Sequence, residues 1–350
     1  MVTTLDVARR AGVARPTVSL VLSNKRGSVR IPDETRARVL QAAEELGYRR
    51  NEIARAMISS RNRMLGFLVA RPEAEATARM LAGALDEADK LGYSLKVLRL
   101  KSHQVDQPTI ERCVELRLAG VMAIYLDEAS LDALHMELTR HAMPIAILED
   151  AVPPWGIGVI SDDAQAMSLA IAHLQGLGHK SIGLITLNQG TGPARETAFR
   201  GAMEAAELAP NLIARCGIDG SDVEASARGL LTRTPTPTAI IGATDPIAMA
   251  IMRVARQQQI KVPKDLSVIG YGDLEMAEHA DPRLSSIALP FFEIGAQAVR
   301  LLIAQVEAAG PSAAAPEDIS PIVSHRPTPL LLPAFLNLRD STAPKKDTSP

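Results

Sequence analysis

Beyond Met64 the chain alternates two patterns so regularly that few architectures accommodate it. Strand-like runs (MLGFLVA, SLKVLRL, VMAIYL, PIAIL) are separated by amphipathic stretches (TARMLAGALDEADKLGY, TIERCVELRLAG, SLDALHMELTRHAM). Apolar runs without in-out alternation suit strands buried on both faces, as in parallel sheets covered by helices. The order β-α-β-α-β-α-β predicts a doubly wound parallel sheet. A second series follows: DAQAMSLAIAHLQGLGH, SIGLITL, RETAFRGAMEAAEL, AIIGA, DPIAMAIMRVARQQQ and LSVIGYG. A long late helix, FFEIGAQAVRLLIAQVEAAG, and a final strand, LLLPAFLNL, complete it, with Pro333 marking an edge or a bulge. Two series of similar length predict two α/β subdomains with a cleft between them rather than one wide sheet.

The first 50 residues follow another rule. Three helices are predicted, at about 5–11, 15–23 and 33–46. Leu5, Val7 and Ala8 give the first an apolar face, and Ala11-Gly12-Val13 makes a tight turn into the second. Pro32 precedes the third helix and Asp33 and Glu34 stand in its first turn, where negative charge favours the N-terminus. Gly47 ends it. Two short helices joined by a tight turn form a helix-turn-helix, whose second helix lies in the DNA major groove. Asn51 then caps a segment too short to be a stable helix alone, 52–58, and 59–63 reads as a linker.

Charge supports a DNA-facing head. Net charge is −2 overall, yet residues 1–63 hold thirteen Lys and Arg against six Asp and Glu, while the remainder holds 25 against 34. A head of +7 on a body of −9 meets phosphates with the head alone. Hydrophobic residues are 47% and charged residues 22%, so the chain is globular. With no apolar run long enough to span a bilayer and no leader pattern, a cytoplasmic protein without membrane contact is expected. Cys113 and Cys216 are far apart and lack His neighbours at metal-ligand spacing, so two buried reduced thiols, no metal and no cofactor are expected. No GxGxxG follows a strand, and neither a P-loop nor a G-x-S-x-G elbow is present, which argues against an enzyme.

Several segments resemble a known family. DVARRAGVARPTVSLVLS and ETRARVLQAAEELGY are similar to the DNA-binding head of the lactose-repressor family. HLQGLGHKSIGLI, RETAFRGAMEAA, LSVIGYGD and LRDSTAP are similar to its periplasmic-binding-protein-like core, in the family order. The resemblance implies a homodimeric transcription regulator that binds a palindromic operator and clamps a small effector between its subdomains. It implies 1–50 as DNA-binding domain, 51–63 as hinge helix and linker, 64–340 as core and 341–350 as a disordered tail. Three crossings between subdomains, near 160, 289 and 321, assign 64–160 and 289–320 to the first, 161–288 and 321–340 to the second. LLLPAFLNL would then lie in the second.

The same resemblance implies site residues. Arg15 and Pro16 occupy the positions that select sequence, Arg15 as a two-bond donor to guanine and Pro16 as an apolar contact. Thr4, Thr17 and Ser19 are expected to hold the DNA, the last two through phosphates, Leu20 to stand where a polar base reader is common, and Ser23 where Asn is common. NEIARAM matches the hinge helix that enters the minor groove, with Asn51 and Ala54 in the contact set and Met57 in place of the usual Leu wedge. Val18, Val21 and Leu22 are expected in the core. For the effector, ligands bind beyond the C-terminal ends of strands. Arg195 is expected to reach effector oxygens, Glu149 stands where Asp is frequent, and Thr244 where Asn is common. Gly272 replaces a sugar-binding Asp, so Asp273 is expected to serve instead, and Arg71 ends the first core strand. Gly272-Asp273 resembles the gluconate-repressor-like branch. Keeping two arginines while losing one carboxylate shifts the expected ligand from a sugar toward a sugar acid. Trp155 reads either as cleft lining or as a loop residue. A corepressor-dependent repressor, an activator, or a sugar-binding protein without regulatory role are the alternatives.

Overall fold

The computed structural model describes residues 2–23, 31–48, 62–149, 152–217, 220, 222–308 and 328–346. The chain divides into two compact units, Met1–Arg61 and Asn62–Pro350.

The first unit holds α1 (Thr4–Ala11), α2 (Arg15–Ser23) and α3 (Asp33–Glu45). A capping box starts α1: Asp6 N donates to Thr3 Oγ1 (3.4 Å) and Thr3 N donates to Asp6 Oδ2 (2.8 Å). Gly12 ends it in the left-handed conformation (φ +65°), where a side chain is strained. Gly47 (φ +60°) ends α3 in a Schellman arrangement, with Gly47 N donating to Glu44 O and Tyr48 N to Ala43 O. Val7, Ala8, Ala11, Val18, Val21, Val39, Ala42 and Ala43 form the buried core. Leu5 departs from expectation, being 46% exposed. Two residues from Val7 on a helix is more than half a turn, so Leu5 faces away from the Val7–Ala8–Ala11 stripe.

The second unit has two lobes. The first contains β1 (Met64–Val69), α4 (Glu75–Lys90), β2 (Ser94–Arg99), α5 (Gln107–Glu115), β3 (Gly120–Ile124), α6 (Glu128–Arg140), β4 (Ile145–Leu148) and β5 (Ile157–Ser161). The second contains α7 (Asp163–Gly176), β6 (Ile182–Leu187), α8 (Gly192–Ala205), β7 (Ile213–Cys216), α9 (Val223–Leu231), β8 (Ala239–Ala243), α10 (Asp245–Gln257), β9 (Ser267–Gly272), α11 (Glu275–Glu278) and β10 (Ser285–Ala288). The chain then returns to the first lobe as α12 (Phe291–Ala308), which packs on α4 and over β3 to β5. Two short strands follow, β11 (Leu330–Leu332) and β12 (Phe335–Asn337). Each sheet has six strands, in the orders β2-β1-β3-β4-β5-β11 and β7-β6-β8-β9-β10-β12. All pairings are parallel except β10 with β12. The buried central strands β3, β4, β8 and β9 are those whose sequences carry no alternation.

Three expectations are corrected. LLLPAFLNL is not one strand of the second lobe: β11 pairs with β5 in the first sheet and β12 with β10 in the second. Pro333 stands between them, where it removes a ladder donor, so the third crossing lies at 333–334 rather than near 321. Residues 341–346 are not a free tail. Ser341 is fully buried, donating from Oγ to Val268 O (2.6 Å) and accepting from Ser285 N (2.8 Å). Ala343 O and N meet His179 Nε2 and Ser267 Oγ, and Lys345 N donates to Leu177 O. Strands β5, β7 and β10 and helix α11 are not foreseen from the sequence, being short and without a distinct period; α9 is also missed, although Val223, Ala227, Leu230 and Leu231 fall at helical spacing and are buried. Cys113 and Cys216 are both buried, Cys216 Sγ donating to Thr186 O, and burial pushes the Cys113 thiol up to about 11.

The lobes meet along the C-terminal ends of their strands. Arg79 Nη1 donates to Asp273 O (3.1 Å), and the Glu75 carboxylate accepts from Glu275 N (3.0 Å). Within the first lobe α4 and α12 touch through glycines. A Cβ on Gly83 would lie 1.9 Å from Phe292 O, and one on Gly295 1.9 Å from Met80 O.

Candidate DNA interface and effector cleft

In the head, Val18 and Val21 turn inward while Arg15, Pro16 and Ser19 stand exposed on the outer face of α2, with Thr17 and Leu20 half-buried beside them. Arg15 Nε donates to Thr4 Oγ1 (3.2 Å), so Thr4 at the start of α1 orients the arginine at the start of α2. The remaining guanidinium donors have the fork geometry that suits a base edge or a phosphate. Ser23 is the last residue of α2. Asn51, Ala54 and Met57 lie outside the described residues.

In the core, five residues from both lobes converge. Glu149 follows β4 and Ser161 ends β5; Asp163 opens α7, Arg195 lies in the first turn of α8, and Tyr271 lies near the end of β9. Glu149 accepts from Ser161 Oγ (3.0 Å) and from Ser161 N. Asp163 accepts from the Tyr271 hydroxyl. The Arg195 guanidinium carbon sits 4.5 Å from the Tyr271 ring centroid. Its Nη2 is 3.8 Å from Glu149 Oε2 and its Nε 3.8 Å from Asp163 Oδ1, close enough for attraction and too far for hydrogen bonds. Arg195 is 3% exposed, and its Nε is one of two buried side-chain polar atoms without a hydrogen-bond partner among the described residues, the other being Thr186 Oγ1. An unpaired buried donor costs roughly 1–3 kcal/mol, which marks Arg195 Nε as a candidate ligand contact.

Electrostatics mark the same place. Burial pushes the Glu149 carboxyl up to about 6, against the pull of Arg195. Burial opposes the Arg195 cation, but Asp163, Tyr271 and Glu149 together override it and raise its pKa. Burial and the Asp163 charge hold the Tyr271 phenol well above its ordinary value. The backbone is strained at this edge as well. Tyr125, Glu149 and Asp273, each at or just past a strand end, adopt left-handed φ of +52°, +49° and +51°. Non-glycine residues pay roughly 1–3 kcal/mol for such conformations, which persist mainly at functional sites.

The expected effector residues therefore separate. Glu149 and Arg195 are brought together. Thr244 lies at the same end of the second sheet, as N-cap of α10, its hydroxyl making no capping bond. Arg71 is not in the cluster: its side chain is 67% exposed and 3.7 Å from Glu73. Asp273 is already engaged, accepting from Arg339 Nη1 (2.7 Å) and Asn337 Nδ2 (2.6 Å) at the third crossing. Gly272 has φ +131°, and a Cβ there would lie 3.3 Å from Asp245 Oδ2. Asp245 is fully buried and accepts from Leu274 N (2.7 Å) and Ser286 Oγ (2.5 Å), fixing that turn. Trp155 stacks on His135 of α6 (centroids 4.0 Å, 9° between planes). Ser161, Asp163 and Tyr271 escape a reading of the sequence. Tyr271 carries a signal: a tyrosine inside a buried apolar strand must find a partner for its hydroxyl.

Among the described residues no cluster of His, Cys, Asp and Glu is able to hold a metal ion, and no helix is long and apolar enough to cross a membrane. A helix-turn-helix head with an exposed arginine, and a two-lobed α/β core with a polar cluster buried between its lobes, define the class: ligand-responsive DNA-binding regulators. Residues 3–51 match the family "Bacterial regulatory proteins, lacI family" and residues 171–328 match "Periplasmic binding protein-like domain". The chain is 30% identical to the HTH-type transcriptional regulator AscG of Escherichia coli, over 87% of this chain and 91% of that one. It is 28% identical to the HTH-type transcriptional repressor PurR of Haemophilus influenzae, again over 87% and 91%. Its fold superposes on the Lac repressor dimer bound to operator and the anti-inducer ONPF with a TM-score of 0.78, at 23% identity, covering 98% of this chain and 99% of that one. The chain belongs to the lacI family of bacterial regulatory proteins. It is a ligand-responsive, DNA-binding transcriptional regulator with an effector-binding core, and not an enzyme.

Proposed function

We propose that this regulator is a homodimeric, cytoplasmic repressor of a carbohydrate or sugar-acid catabolic operon, released from a palindromic operator when a small polyhydroxylated effector enters the cleft. The observation that carries the ligand class is Arg195. A buried guanidinium with an unpartnered Nε, flanked at 3.8 Å by two carboxylates, suits a ligand whose hydroxyl or carboxylate oxygen accepts from Nε and whose other hydroxyls donate to Glu149 and Asp163. Arg71 stands apart, so the leaning toward an acid rests on Arg195. The half-buried Thr244 hydroxyl at the end of β8 is a further contact. A homodimer suits this head: one recognition helix reads a half-site, and two heads related by a two-fold axis read a palindrome. The DNA contact set is Thr4, Arg15, Pro16, Thr17, Ser19, Leu20 and Ser23, with Asn51, Ala54 and Met57 in the hinge segment. Thr4 acts partly by holding Arg15.

The effector shifts operator affinity only by as much as it prefers one core state over the other. Lobe closure on a ligand alters the first lobes relative to one another in the dimer, and with them the hinge segments. The test is to sequence DNA retained by the protein from its own cells, with and without candidate sugars and sugar acids. A short palindrome beside a carbohydrate or sugar-acid operon, vacated on addition, is expected. A palindrome occupied only with ligand would reverse the sign to corepression. Arg195→Ala is expected to abolish the ligand response while leaving operator binding intact, measured by fluorescence anisotropy on that palindrome; loss of both would remove Arg195 from the effector site.

A further inference from the structure

The cleft holds more negative than positive charge before any ligand arrives. Arg195 is the cation of the described cluster, and it faces both Glu149 and Asp163. An acid whose carboxylate meets Arg195 Nε would bring a third negative charge into a site where Arg195 and Glu149 are almost wholly buried. Like charges at this separation in a water-poor site are not all retained; one carboxylate takes a proton.

The two resident carboxylates are not equivalent. Asp163 opens α7, where the helix N-terminus stabilises an anion, and its side chain remains 19% exposed. It also accepts from the Tyr271 hydroxyl. Glu149 has no helix terminus and is 2% exposed at its side chain. Its partners are Ser161 N–H and Ser161 Oγ, and a hydroxyl can reverse its role. A protonated Glu149 keeps the Ser161 N–H bond on one oxygen and donates from the other to Ser161 Oγ, so neutralisation loses no hydrogen bond. Among the described residues, the groups facing it are Arg195 from α8, Asp163 from α7, Tyr271 from β9 and Ser161 from β5.

Resting on the reading of this cleft as the effector site, we propose that an acidic effector enters together with one proton from solvent, which Glu149 takes up as the effector carboxylate meets Arg195. The class of ligand is then a small hydroxy acid, bound as its anion, and its binding is coupled to pH. Burial already places the free Glu149 carboxyl at about 6, and a third negative charge raises it further in the complex. Affinity for the acid is therefore flat below about pH 6, where Glu149 is already protonated, and falls by up to about tenfold per pH unit above it. A neutral sugar adds no charge and carries little such dependence.

The test is calorimetric titration of the full-length protein with D-gluconate, D-galactonate and D-glucuronate, and with D-glucose and D-galactose alongside, between pH 5.5 and 8. Each is run in two buffers of different ionisation enthalpy. Expected at pH 7.5 is uptake approaching one proton per acid bound, weakening of up to about tenfold per pH unit, and loss of both in Glu149→Gln. Acid binding without proton uptake overturns the proposal and leaves the effector site standing, as does binding confined to the neutral sugars. If neither acids nor sugars bind, the proposal and the reading of the cleft fail together.

Discussion

Glu149 shows how one side chain acquires a role from its surroundings. On the sequence it is a glutamate at the end of PIAIL; folded, it has left-handed φ, two Ser161 donors and a raised pKa. A carboxyl whose folded pKa of about 6 exceeds its ordinary 4.5 contributes stability that is present below 4.5 and lost as pH rises through 6. The loss is about 2 kcal/mol. Carboxylates held low by hydrogen bonds, Asp106 and Asp340 among them, act in the opposite sense at more acid pH, so the difference between wild type and Glu149→Gln isolates the effect. Urea unfolding at pH 4.5, 6 and 7.5 is expected to show the variant gaining relative stability across that window; a constant difference would mean Glu149 does not titrate there. Arg15 supports a second residue-scale prediction. If it reads a base edge, Arg15→Ala costs about 1–3 kcal/mol at one operator position and leaves the salt slope unchanged. If it holds a phosphate, binding weakens uniformly and the slope falls by about 1.

At the scale of elements, the α4–α12 pair is the tightest joint of the first lobe. Gly83 and Gly295 let the two backbones approach to where a methyl group would strike a carbonyl oxygen. Gly83→Ala has helix propensity in its favour and still is expected to destabilise by about 1–3 kcal/mol, because the obstacle is backbone and not a side-chain end that can rotate away. A lowered thermal midpoint checks this; an unchanged one would mean the helices separate at little cost. The end of the chain is a comparable device in the second lobe. Arg339, Ser341 and Ala343 stitch it to β9, β10 and the turn at Asp273, so the segment that follows the third crossing also positions the cleft edge.

For the whole molecule, charge is divided by function, with a head of +7 and a remainder of −9. Operator affinity is expected to fall steeply between 50 and 200 mM salt, by about 0.9 in log–log slope for each phosphate neutralised, whereas effector affinity at the buried cleft changes little. Measuring both on one preparation checks it; equal salt dependence would place the effector charge at an exposed site. The lobes touch through Arg79 with Asp273 and Glu75 with Glu275.

Much of the fold was legible in the sequence because its causes are local. Capping at Thr3, the left-handed glycines 12 and 47, and the apolar runs of the central strands each act over a few residues. The head helices and the alternating series could therefore be read directly. Strands β5, β7 and β10 could not, since their pairing comes from neighbours and not from a period of their own. Arg195 and Glu149 were legible only as resemblances, and their meeting was not. Ser161, Asp163 and Tyr271 complete the cluster because two sheets present their C-terminal edges to each other, whereas Asp273 is held beside it by Arg339 and Asn337. Local rules along the chain suffice for the elements, the charge division and the helix-turn-helix. Which charged groups share one buried volume is set by how the lobes pack, because burial and Coulomb attraction depend on separation in space, which topology sets.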